Sequence, residues 1–374
     1  MKKTKKKTGF TMVELLVAMA VTMVVLAGAV LAFRDSTRAN SNVTQRSDMS
    51  DNMRAGLNLI VQDLIQTGTG IPTGGISIPN TVNAAGCNIG RPVNRPPTVL
   101  NLTFQGPNGG AIGCNVMLPA IEPGNGAGGV IVSPDGTRSP ATDIITIMYA
   151  DNTLLALSQS PINGAACPNG TINATGSSIT FDAACVTIGA AGIPVNPGDL
   201  LMIYNNNGNC LQTVSAVVGQ TLTFNPNDAF NLNGRTTTET AGTIRQLQNL
   251  AGGVPNGTYP PTSATRIWMV TYYLDGVTDP THPMLMRAVN FNTPQPVAET
   301  LENLQFAYNF ADGTNPAPVN QFTVPAGDTE NQIRSVNVYM SARSASRASD
   351  TKYVRTNLTT QVALRSMAYF NNYK

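Results

Sequence analysis

From Phe10 to Phe33 the chain is apolar or small at every position except Glu14. A helix of that length rises about 36 Å, enough for a bilayer core that takes roughly 20 residues. The pattern then turns amphipathic. Met49, Met53, Leu57, Ile60 and Leu64 recur at steps of three and four and mark one apolar helix face, with Arg46, Asp48, Asp51, Arg54 and Asp63 at other positions. No proline lies between Phe10 and Thr67, and Gly68-Thr69-Gly70-Ile71-Pro72 is a strong stop. This predicts one helix over residues 10–67, about 87 Å long. Its first half, 10–33, would lie in lipid, and its continuation, 34–67, would lay its stripe on a folded head. The alternative is two helices with a break at Asn40-Ser41-Asn42, where propensity is weak.

Beyond the stop the period changes. Residues 68–140 are dense in Gly, Pro and Asn and predict loops or irregular β excursions, a loop region or insertion. From 141 to 374 short apolar runs alternate with turns. The strands predicted are Asp143 to Tyr149, Asp199 to Tyr204, Cys210 to Val218, Thr221 to Phe224, Arg266 to Leu274, Met284 to Val289, Thr300 to Phe310, Ile333 to Ala342 and Thr356 to Arg365. Strands joined by short turns, with almost no helical period between them, predict antiparallel sheet. The fold class is therefore α+β: a long N-terminal helix packed on a mainly antiparallel β head.

Composition refines this picture. Charged residues are only 12% of the 374, with 34 Gly and 25 Pro, a profile of loop-rich β structure. The formal charge of +2 rests on Lys2, Lys3, Lys5, Lys6 and Lys7; without those five lysines the rest sums to −3, which argues against a general polyanion binder. The five cysteines form no C-x-x-C pair and the sole histidine is His282, so zinc spacing is absent and no metal or cofactor is expected. In an exported head, neighbour pairing would join Cys87 to Cys114 and Cys167 to Cys185, leaving Cys210 odd, as a buried and inert thiol rather than the alternative of an intermolecular bridge.

The N-terminal segment carries the sharpest signal. Five lysines, Gly9, Phe10, then Glu14 at the start of an uninterrupted apolar run leave three readings: a plain anchor with its N-terminus on the cytoplasmic side, a cleaved secretory signal with small-residue sites at Ala27-Gly28-Ala29 or Val30-Leu31-Ala32, and a third that accounts for the carboxylate. A charge at mid-membrane costs roughly 2.5–3.5 kcal/mol, and it wants a partner of opposite sign. No Lys, Arg or His lies between Phe10 and Phe33, so that partner is expected from outside. The segment resembles a type IV prepilin N-terminus. The resemblance implies a leader, residues 1–9, cut after Gly9 by a prepilin peptidase, methylation of the new N-terminal Phe10, and pairing of Glu14 with a neighbouring subunit's terminal amine.

The order of strand signals in the body, from Asp143-to-Tyr149 and Pro197-Gly198-Asp199-Leu200-Leu201 to Leu358-to-Arg365, is similar to that of PilW-type minor pilins, relatives of the larger minor pseudopilins of type II secretion. This implies a structural subunit, not an enzyme, that primes pilus assembly or sits near the tip. Its partners would be the peptidase, other major and minor pilins, the inner-membrane assembly platform and membrane lipid. It would sit single-pass in the inner membrane, head outward, and then in the filament. The Gly/Pro-rich stretch and the cysteines lie outside the resemblance. The alternatives are a type II secretion pseudopilin, or an adhesin or DNA-binding tip on the same anchor.

Catalytic chemistry finds little support. A triad would have to use His282, which lies in a Pro-flanked turn with no G-x-S-x-G elbow. Asp275-Gly276-Val277-Thr278-Asp279 lacks the EF-hand spacing and reads as a turn. Residues 334–374 carry a charge of +6 with tyrosines interleaved, so Arg343, Arg347, Lys352 and Arg355 are candidate DNA or polyanion contacts. The competing reading is a solvated strand face balancing acids elsewhere.

Overall fold

The computed structural model describes Gly9 and residues 11–82, 88–104, 117–156, 170–189, 192–236, 239–311, 313–314, 316–347 and 353–368. Helix α1, Met12–Gln66, is continuous, so the predicted weak point does not break it. Thr44 Oγ1 donates back to the Asn40 carbonyl at 3.1 Å, and Gln45 Nε2 reaches Ser41 Oγ at 3.4 Å, so the polar cluster is satisfied within the helix. Met49, Met53, Leu57, Ile60 and Leu64 are all at most 6% exposed, as their spacing predicts. The apolar first half touches nothing in the head.

Two antiparallel sheets receive the stripe. In the larger, β1 (Ile121–Glu122) pairs with β2 (Ile145–Ala156), and β2 pairs with β5 (Ser263–Asp275). The first half of β5 carries β3 (Leu200–Asn205) and then β4 (Gly208–Thr213), with Leu200 opposite Ile267. Its second half carries β6 (Met284–Val289) and then β7 (Gln295–Glu299), with Leu274 opposite Leu285. The smaller sheet is β8 (Leu301–Phe310), β9 (Ile333–Arg343) and β10 (Arg355–Ala363) in that order. Inward positions of β8 and β9, among them Leu304, Phe306, Val336, Val338 and Met340, alternate with half-exposed ones and join the helix stripe in the principal core.

A second core lies under a four-stranded sheet made by Thr171–Ile172, Ser178–Thr180, Ala216–Val218 and Thr221–Thr223. Strand β3 is shared between the cores: Leu200 and Met202 face the principal one, Leu201 and Ile203 the second. That is why Leu200-Leu201-Met202-Ile203 is unbroken rather than alternating, since a strand covered on both faces needs apolar residues throughout.

The described part of the stretch 68–140 holds short β excursions between its loops. Ile76, Ile78, Val93, Phe104, Leu118 and Ile121 are buried in the principal core, and short strand pairs punctuate it, such as Asn94–Arg95 with Leu102–Thr103. Its Gly and Pro residues bend the chain, while scattered apolar residues tie each bend to the head.

Candidate assembly site

Thr11 caps α1 and Glu14 completes the capping box. Glu14 Oε2 accepts from the Thr11 backbone N–H at 2.9 Å and from Thr11 Oγ1 at 3.0 Å, while Thr11 Oγ1 accepts from the Glu14 N–H at 3.3 Å. The carboxylate therefore has internal hydrogen-bond donors, which the expectation of a wholly external partner missed. Those donors are neutral, so the charge itself has no counter-ion among the described residues of this segment. A Cβ built on Gly9 would meet no atom of the chain within 4 Å, so the protein's own packing places no demand for glycine there. Phe10 lies outside the described residues. Thr22 Oγ1 donates to the Ala18 carbonyl at 2.7 Å, so the hydroxyl in the middle of the apolar run is satisfied.

The lower half of α1 is fastened to the head at two positions the stripe did not reveal. Gly56 lies where a Cβ would stand 3.0 Å from both Ala298 Cβ and Leu285 Cδ2, so the helix backbone comes down onto β6 and β7. Asp63 belongs to the buried face and not, as expected, to the polar one: it is 4% exposed. Its Oδ1 accepts from Tyr149 Oη at 3.0 Å and Arg287 Nη2 at 3.2 Å, and its Oδ2 from Tyr272 Oη at 2.5 Å and Arg287 Nε at 2.7 Å. Burial and the neighbouring carboxylate push both tyrosine hydroxyls well above their ordinary range, so they stay donors. The signal was in the spacing, for 49, 53, 56, 60 and 63 continue a four-three repeat that includes the glycine and the aspartate.

Two of the four basic residues read as candidate polyanion contacts, Arg343 and Arg355, are engaged by acids of the head. Arg343 and Arg355 stand opposite each other on β9 and β10, and Glu302 of β8 lies between them. Arg343 is 1% exposed; its Nε is 3.3 Å from Glu302, its Nη2 donates to the Thr281 carbonyl, and its guanidinium covers the Tyr353 ring at 4.5 Å. Arg355 Nε donates to Glu302 Oε2 at 2.7 Å and its Nη2 to Asp135 Oδ2 at 2.8 Å. Slight burial pushes the Asp135 carboxyl up, but hydrogen bonds from Arg355 and Thr137 outweigh it and hold it at about 2. Arg347 is exposed, reaching the Pro134 carbonyl at 3.3 Å, and Lys352 lies outside the described residues. The acids that the solvated-face alternative called for are Glu302 and Asp135, with Arg343 buried and Arg355 exposed on β10.

Cys210 is a free, fully buried thiol, pushed well above its ordinary pKa by burial. Cys185 is disulfide-bonded; Cys87, Cys114 and Cys167 lie outside the described residues, and the expected pairings with them. His282 Nδ1 faces Asp279 at 3.1 Å in an exposed turn, and the Asp275 carboxylate is occupied by the Val277 and Thr278 N–H groups of its own turn.

A capped apolar helix standing clear of an antiparallel head, with a prepilin-type junction at its start, makes the chain similar to type IV pilin-like proteins. Residues 4–30 match the family described as the prokaryotic N-terminal methylation motif. The chain is also similar to a pilin-like protein, PilA3, of Thermus thermophilus, with 40% identity over 62 residues, or 17% of this chain and 27% of that relative. The chain thus spans about a quarter of the length of the curated relative it matches. No solved structure matches it.

Proposed function

We propose that this protein is a minor pilin of the PilW type, a structural and non-enzymatic subunit that primes a type IV pilus or sits near its tip. The observation that carries this is the uncovered apolar half of a single continuous helix beneath a prepilin-type junction. In the proposed mechanism, prepilin peptidase cuts after Gly9 while the helix holds the subunit in the inner membrane, N-terminus inward and head outward. The assembly platform then lifts it, and the Met12-to-Phe33 surface exchanges lipid for the helices of other pilins. Glu14 offsets the terminal ammonium of a neighbouring subunit at the same depth. The end position is favoured by bulk, since a head with two cores is hard to repeat at every step of a filament whose helices pack closely.

The open space around Gly9 supports a requirement set by the peptidase. Gly9→Val should leave the leader attached and the protein out of sheared pili, read by intact mass of membrane-extracted protein. Normal cleavage and normal incorporation of that variant would refute the prepilin reading.

A further inference from the structure

Away from the helix, a cavity of about 530 Å³ opens between the strand pair Asn94–Arg95/Leu102–Thr103, the turn after Glu122 and the loop that joins β8 to β9. Its volume falls within the range of small-ligand pockets. The three charged side chains lining it are almost fully buried: Arg95 at 3%, Glu122 at 2% and Glu330 at 4% exposure. Two of them answer each other. Arg95 donates to Thr146 Oγ1 at 3.0 Å and to the Glu122 and Pro123 carbonyls, covers the Phe104 ring, and has the Glu122 carboxylate as its counter-charge.

Glu330 has no such answer among the described residues. Burial raises its carboxyl, and the donor that opposes this is its own backbone N–H. The nearest cation along the chain, Arg334, spends its Nη1 on the Asn331 and Ile333 carbonyls. Burial disfavours the ionised carboxylate, so a cation seated in the cavity beside Glu330 would restore it and gain a counter-charge. The remaining walls are largely apolar, with Leu102 and Val324 inside and Phe322, 53% exposed, at the rim.

We propose that this cavity binds an organic cation, an ammonium or guanidinium on an apolar stem, with Glu330 as its counter-charge and Phe322 covering the stem. Such a group is offered by a lysine or arginine side chain of another protein and by a free alkylamine. The site is independent of the filament reading, for it uses no residue of α1.

Calorimetric titration of the full chain in detergent micelles tests it with two matched pairs: Nα-acetyl-lysine methylamide against its norleucine counterpart, and 1,5-diaminopentane against 1,5-pentanediol. At least one cation should bind tenfold or more tighter than its neutral partner, and the pair that discriminates identifies a protein or a free amine as the source. Glu330→Gln should abolish the preference, and Phe322→Ala, on an exposed rim, should weaken the cation about threefold or more in a folded protein. The proposal is overturned if neither cation outbinds its neutral partner, if Glu330→Gln keeps the preference, or, should that variant not fold, if Phe322→Ala binds as the parent does.

Discussion

At Glu14 two roles meet in one side chain, capping its own helix and carrying a charge to a neighbour. They can be separated chemically, because glutamine at the third helical position still closes a capping box. Glu14→Ala should insert and be cleaved normally but fall sharply in sheared pili, and Glu14→Gln should share that defect although its cap survives. Wild-type incorporation of the glutamine variant would show that the cap, not the charge, is what assembly needs. Asp63 presents the opposite case, a charge with every partner in place. Asp63→Ala would strand the Arg287 guanidinium and two tyrosine hydroxyls at a buried junction, a loss of about 3–5 kcal/mol, readable as a lowered denaturation midpoint of the full chain in detergent. The sequence shows Asp63 as one polar residue among several on a helix. Its partners stand 86, 209 and 224 residues away, so the pattern around it carries no trace of them.

Whole elements were more legible than single contacts. The helix stripe and the nine predicted strands of the head follow from period and punctuation, and their bounds agree to within a few residues except where β2 runs on to Ala156 and the Cys210-to-Val218 run divides at Ser215. The anchoring of the stretch 68–140 was not legible because it comes from distant contacts such as Arg95 on Thr146, not from any repeat of its own. The acids that balance the basic C-terminal strands could not be named for a related reason: a count over residues 334–374 cannot include Glu302 or Asp135. Two predictions belong at this scale. Gly56→Leu should push α1 off β6 and β7, because the backbone there already lies at contact distance, and limited proteolysis should then cut within residues 49–66, where the parent resists. The Asp135–Arg355 pair should give a pH-dependent contribution. Its folded carboxyl titrates at about 2, below the roughly 3.9 of an unfolded aspartate. The contribution is thus complete above about pH 4 and disappears as pH falls through about 2. The difference in melting temperature between the parent and Asp135→Asn should shrink over that window; a constant difference would contradict the assignment.

For the molecule as a whole, what matters is how a protruding apolar rod is kept in line with its head. The lower turns of α1 touch β7, β9 and β10 as well as β2, and the apolar turns above them touch no part of the head. The Asp63 cluster also fixes an order of events during synthesis. Helix residues leave the ribosome first, yet Tyr272 and Arg287, which hold Asp63, follow more than two hundred residues later. At about 5–20 residues per second, the stripe waits ten seconds or more without its cover. Throughout that interval the nascent chain presents Met49 to Leu64 to whatever surface lies nearest. A chain arrested before β6 would keep its anchor yet lack the means to dock its own helix.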